Sequence, residues 1–140
     1  NRWYIVRNMI YLIRETGGAD SAVHIRKFAK GKSNKICIEA VKTLVHFKTT
    51  DAHSYINYYL HSNDSELREQ AIRVAGVYKF NDAVPYLLEL LERKDILGTE
   101  STKILVVKAL GDIGNPMALD MLSKLYNSKK LFYKIIKYSK

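Results

Sequence analysis

The stretch Ala109-Leu110-Gly111-Asp112-Ile113-Gly114-Asn115-Pro116-Met117-Ala118-Leu119 decides how this chain folds. Ala109, Leu110 and Ile113 fall three and four residues apart, the spacing of one helix face. Gly114 then stands where a helix stops. Asn115 offers a side-chain oxygen to an orphan amide of a new helix, and Pro116 suits its first position. The stretch therefore reads as two helices joined by a very short turn.

The same pattern recurs toward the N-terminus at steps of 35, 31 and 31 residues, and a fixed period is the mark of a repeat architecture. These steps align Ile10, Val41, Ile72 and Val107; Met9, Ala40, Ala71 and Val106; and Ile13, Leu44, Ala75 and Leu110. In the following segment they align Ile25, Ile56, Leu87 and Leu122, then Phe28, Tyr59, Leu90 and Leu125, with a small-residue column at Ser21, Ala52, Ala83 and Ala118. The longer step places its extra residues in Asp95–Ser101, around Gly98. Asp20, Asp51 and Asn81 or Asp82 precede second helices as Asn115 does, and Gly17 ends a first helix as Gly114 does. The spacing predicts helices over about 3–16, 20–30, 34–48, 51–62, 65–80, 82–94, 101–113 and 116–127, with a further one over about 129–138. Two such helices cannot bury their apolar stripes alone, whereas stacked pairs share one core. The expected fold is all-α: a right-handed α-solenoid of about four helix pairs, with repeats near 1–31, 32–62, 63–97 and 98–128 in a single domain, plus the terminal helix. That terminal segment, Leu131-Phe132-Tyr133-Lys134-Ile135-Ile136, is amphipathic; it reads as packing on the fourth pair, with a further repeat or a membrane-surface anchor as the other readings.

Residues 109–119 resemble the A-L-G-x-I-G-D-P-x-A-V core of short bacterial HEAT-like repeats, the variety also seen in phycobilin lyases. Arg68 to Pro85 is similar to the same pattern through Arg68, Ala71, Gly76 and Ala83-Val84-Pro85, while Arg14 and Val45 replace the glycine in the first two units. The resemblance spans almost the whole chain and implies a binding scaffold, because HEAT arrays mostly serve as interaction surfaces, although the fold alone does not set the task. HEAT-like di-iron hydroxylases carry His-Glu pairs, but the four histidines here are followed by Ile25, Phe47, Ser54 and Ser62. HEAT-like DNA glycosylases use aromatic and acidic groups in a basic cleft, and the one tryptophan here, Trp3, lies at the start of the chain. Neither activity carries over.

Composition is that of a globular chain, 47% hydrophobic and 26% charged. No apolar run approaches the roughly 18 residues of a membrane span. The single cysteine, Cys37, rules out an intrachain disulfide framework and fits a reducing, cytoplasmic setting. The net charge of +9 sits at the two ends: residues 1–33 carry seven basic and two acidic groups, and residues 124–140 carry six lysines and no acid. The chain does not begin with Met and closes on that lysine-rich segment, so it reads as excised from a longer protein.

No nucleophile elbow, phosphate loop or metal-ligand spacing is present, so neither catalysis, cofactor nor metal is expected. His53 aligns with Ala22, Val84 and Leu119 and reads as a partly buried structural histidine, whereas His46 aligns with Glu15, Val77 and Asp112 and reads as solvent-facing. Cys37 aligns with Arg68 and Lys103 and reads as semi-exposed and inert. Lys42, Arg73 and Lys108 form a basic column on the first helices, read as a solvated face. The exposed columns of the second helices, which line the concave face in HEAT-like stacks, carry the candidate groove for another protein or peptide: His24, Tyr55, Tyr86 and Met121; Lys27, Tyr58, Glu89 and Lys124; and Lys30, His61, Glu92 and Asn127. Tyrosine joins a rigid apolar body to a hydroxyl, which suits such a surface. The alternative is a nucleic-acid module using a terminal basic patch of Lys129, Lys130, Lys134 and Lys137.

Overall fold

A computed structural model of the chain describes residues 2–93 and 99–127. The inserted residues around Gly98, the helix expected over 129–138 and the basic patch Lys129, Lys130, Lys134 and Lys137 lie outside the described residues. Among the described residues there are helices and turns and no strand. The chain divides into two compact units, Asn1–Val74 and Ala75–Lys140.

In the first unit, α1 (Trp3–Thr16) lies along α3 (Asn34–His46), and α3 also packs on α2 (Ala22–Ile25) and α4 (Ala52–Leu60). Ile10, Ile25, Val41, Leu44, Ile56 and Leu60 form the core between them. The helix expected over 20–30 is a single α-turn flanked by 3₁₀ turns at Ala19–Ser21 and Arg26–Phe28. α5 (Ser65–Val77) begins in this unit, capped by the Asp64 carboxylate, which accepts from the Leu67 amide at 3.1 Å and from Asn34 Nδ2 at 2.9 Å. Those two bonds, the amide first, hold the Asp64 carboxyl below the usual carboxylate range.

In the second unit a 3₁₀ turn at Asn81–Ala83 leads into α6 (Val84–Glu92), which packs on α7 (Glu100–Ile113). A second 3₁₀ turn, Pro116–Ala118, opens α8 (Leu119–Asn127). Val84, Leu87, Leu90, Val106 and Leu110 are buried here. Thr99 caps α7 through its hydroxyl, and Asn115 Oδ1 accepts from the Met117 amide at 2.8 Å. Asn115 thus forms the second-helix cap expected of it. Asp51 instead pairs with Arg26, and Asn81 accepts from Asn115 Nδ2 at 2.8 Å.

The period shows clearly at the ends of the first helices. Lys48 (φ 54°), Lys79 (φ 53°) and Gly114 (φ 69°) occupy equivalent repeat positions and share the left-handed conformation. The Thr49 amide reaches back to the Leu44 carbonyl at 3.1 Å and the Phe80 amide to the Ala75 carbonyl at 2.8 Å, the six-residue bond of a Schellman stop. Glycine is the usual residue there, and a lysine in this region costs about 1 kcal/mol. Gly17, the fourth member, ends α1 in an extended conformation instead.

Two sequence readings are corrected. His53 is exposed: its column is a rim position, covered at Ala22 and Val84 but open at His53 and Leu119. Cys37 is buried rather than semi-exposed, because its sulfur rests against the backbone of Gly31, whose amide donates to Sγ at 3.1 Å. Its equivalent Arg68 is buried too and donates from Nη1 to the carbonyl of Ser62, itself the equivalent of Gly31, at 2.8 Å. The shared column thus draws the turn between repeats onto the next first helix. α1 also keeps an apolar stripe in the open, with Ile5 38%, Met9 58% and Leu12 56% exposed. The matching Ala40, Thr43, Ala71, Val74, Val106 and Ala109 are buried.

Replacing Lys48 or Lys79 with Gly should raise stability by about 1 kcal/mol each, read as a higher midpoint in urea unfolding at unchanged slope. Gly76 tests the opposite sign. A β-carbon there would meet the Cα of Ala109 at 2.9 Å, whereas one at Gly111 would meet nothing within 4 Å. Gly76→Ala should therefore cost about 1–3 kcal/mol, while Gly111→Ala gains about 0.5–1 kcal/mol.

Candidate partner-binding face

The outward side of α2 and α4 in the first unit is built from the core upward. Ala22, Ile25 and Ala29 turn inward from one segment, and Ala52, Ile56, Tyr59 and Leu60 from the other. The helical spacing that buries these residues leaves His24, Lys27 and Lys30, together with Tyr58 and His61, exposed, and Tyr55 half-buried.

Tyr59 organises this face from beneath. It is buried, and its hydroxyl donates to the Ala29 carbonyl. Burial first, and the neighbouring Cys37 second, push the phenol well above its ordinary range, so it stays protonated. The bond pins the end of the α2 segment to α4 and brings Lys30, the next residue, over α4's outer aromatics. Lys30 Nζ lies 4.8 Å from the Tyr58 ring centre and 5.8 Å from that of Tyr55, within cation–π range. Tyr58 in turn stands edge-on to Tyr59, with ring centres 5.2 Å apart. Beside it, Asn57, Tyr58, His61, Ser62 and Asn63 line an open depression of about 410 Å³, and His61 Nδ1 sits 2.9 Å from the Asn57 carbonyl. Arg26 spans the two segments, donating from Nε to Asp51 at 2.8 Å; that bond holds the Asp51 carboxyl below its usual range.

The structure therefore brings Tyr55, Tyr58 and His61 together on α4, with Lys30 over the two tyrosines. His24 and Lys27 are exposed on the neighbouring segment, where Lys27 Nζ lies 5.1 Å from the Phe28 ring. In the second unit, Tyr86 is half-buried on α6, and exposed Glu89 pairs with Arg93 at 3.2 Å. Lys124, exposed on α8, pairs with Asp120 at 2.7 Å. The repeat columns pointed to Tyr55, Tyr58 and Lys30 but not to the hydroxyl of Tyr59, which stood in an apolar column. The signal available was a tyrosine where Phe28, Leu90 and Leu125 stand in the other units.

A second, polar groove of about 240 Å³ runs across the first helices of the same unit, lined by Arg7, Lys35, Glu39, Lys42 and Glu66 among others. Glu39 is held there by Arg14 at 2.7 Å. Lys42 is half-buried in that groove, while Arg73 and Lys108 are exposed. Among the described residues no group of three His, Cys, Asp or Glu side chains gathers as a metal site, and no helix is long and apolar enough to cross a membrane.

Paired helices on a repeat period, with the stops and caps recurring in register, define a helical-repeat protein. A family profile described as HEAT repeats matches residues 56–132, more than half of the chain, and the chain belongs to that family. No curated protein and no solved structure matches it.

The buried phenol has a pH consequence. A folded-state value raised above the unfolded value of 10.0 gives stability that is complete below about pH 10 and is lost as pH rises beyond it. Alkaline unfolding should therefore set in above about pH 10. Tyr59→Phe should lower stability by about 1–3 kcal/mol at neutral pH, by leaving a buried carbonyl without its donor, and should flatten the alkaline loss. Denaturation midpoints at pH 7, 9 and 11 check both.

Proposed function

We propose that this chain is a protein- or peptide-binding scaffold whose contact surface is the outward face of its second helices. HEAT repeats commonly serve as interaction surfaces, and this chain offers a face suited to the task. The observation that carries the reading is Tyr58: a large aromatic 57% exposed, yet fixed in place by Tyr59 on one side and Lys30 on the other. A rigid aromatic loses little side-chain entropy on binding, which suits an interface anchor. Tyr55 and His61 extend this surface in the first unit, and Tyr86 is its counterpart on α6.

The stack itself, a right-handed series of four helix pairs, belongs to the same proposal and is supported by the 31-, 31- and 35-residue steps. A buried, hydrogen-bonded thiol fits a reducing compartment such as the cytoplasm.

With the full chain as bait, partners captured by the wild type should be lost or weakened by Tyr58→Ala, and less so by Tyr55→Ala. An interface anchor is worth about 2 kcal/mol, or about thirtyfold in affinity. Lys108→Glu, on a first helix, should leave capture intact, and circular dichroism should show all three variants folded. Equal capture by wild type and both tyrosine variants would sink the reading.

A further inference from the structure

We infer that the segment recognised at the α2–α4 face is an acidic peptide, its carboxylates held by Lys27 and Lys30 and an apolar side chain seated beside Tyr58. The inference rests on the scaffold reading and adds the chemistry of the partner.

Charge is the first support. Residues 22–32 contain Arg26, Lys27, Lys30 and Lys32 and no acid, and residues 52–61 contain no acidic, lysine or arginine side chain at all. Arg26 is engaged by Asp51, but neither Lys27 nor Lys30 has an ion pair among the described residues. The second helices of the other unit differ: α6 bears Glu89 and Glu92, and α8 sets Asp120 against Lys124. The basic character therefore belongs to this one face and is not a general feature of the repeats.

Geometry is the second. Lys30 is held by π-contact with two rings, so part of the cost of ordering its long side chain is met before a ligand arrives. The ammonium has three donors, and those turned away from the rings remain for a carboxylate. Next to it lies a depression with polar walls from Asn57, His61, Ser62 and Asn63 and one apolar wall, the exposed Tyr58 ring, against which an apolar side chain can rest. Cation, aromatic body and depression together match a carboxylate followed by an apolar residue.

A nucleic acid fits less well. Affinity for a phosphate backbone grows with the number of phosphates that lysines and arginines neutralise, and on this face Lys27 and Lys30 are the lysines outside any ion pair among the described residues.

The test uses the full chain and three short synthetic peptides that share a central phenylalanine, flanked by glutamates, by glutamines or by lysines, with oligothymidylate as a fourth probe. Titration is followed by fluorescence anisotropy and by amide chemical shifts. The glutamate peptide should bind, weaken with added salt, and shift amides within 24–30 and 55–61. The glutamine and lysine peptides should not bind. K27E/K30E together should weaken the glutamate peptide by at least about tenfold, since each exposed pair is worth up to about fivefold and reversal adds repulsion. Tyr58→Ala should weaken it as well. Failure of the glutamate peptide to bind, equal binding of the glutamine peptide, shifts confined to the first-helix groove, or tighter binding of oligothymidylate would each overturn the inference. If K27E/K30E still captures protein partners while Tyr58→Ala does not, the acidic partner falls and the scaffold reading stands. If tyrosine variants also capture normally, both fall.

Discussion

Gly76 lies so close to α7 that a β-carbon on it would stand 2.9 Å from the Cα of Ala109. That near-contact of two backbones sets the terms for the packing around it. Helices approach this closely only where side chains are small, and Val106 and Ala109 of α7 are buried there; the equivalent repeat positions, Ala40 and Thr43 on α3 and Ala71 and Val74 on α5, are also small and buried. Thr43 is tolerated because its hydroxyl donates to the Glu39 carbonyl one turn back, at 2.9 Å, which satisfies a buried polar group locally. With the backbones close at Gly76, the larger apolar residues Leu87, Leu90 and Leu110 close the core of the second unit. The outward columns of the second helices are thereby released from packing and left available for chemistry.

The turns between repeats pose a separate problem, because a buried backbone carbonyl must find a donor. This chain solves it three ways within one unit. Cys37 reaches the Gly31 carbonyl with its thiol at 3.4 Å, Arg68 reaches that of Ser62 with its guanidinium, and Tyr59 reaches that of Ala29 with its phenol. Arg68 is the costly solution, since it brings a charge to 3% exposure and leaves Nε without a partner. Tyr59 is the productive one. Anchoring the turn there also aligns Lys30 with Tyr58, so a structural bond inside the core arranges the surface above it.

The fold was legible in the sequence because packing of this kind repeats its demands. A residue type needed at one helix crossing is needed again a period later, and the apolar, small and helix-stop columns recorded that need. The left-handed stops at Lys48 and Lys79 were less visible, since their chemistry is not that of Gly114 and only alignment joins them. The second helix of the first repeat was misjudged in length for a reason no column carries. It runs as a single α-turn between two 3₁₀ turns, and its end is held by the bond from Tyr59 to the Ala29 carbonyl, thirty residues apart in sequence. The site was legible to the same degree. Periodicity placed Tyr55, Tyr58 and Lys30 on outward columns, but their meeting depends on that long-range bond. His53 and Cys37 were misplaced for a related reason: a column average describes neither a rim position nor a side chain drawn inward by one backbone group.

The chain holds one cysteine, and it is buried beneath the turn it helps to anchor. Its thiol is thus a built-in reporter. A labelling reagent reaches Cys37 only when the Ala29–Ser33 turn lifts from α3, so the rate of modification, divided by that of an exposed thiol, measures the free energy of a single local opening. Because Tyr59 seals the same turn and sets the position of Lys30, this opening is also the motion that would dismantle the proposed binding face. A partner that grips Lys30 and Tyr58 must hold the turn shut, and its presence can be read as protection of a sulfur it never touches.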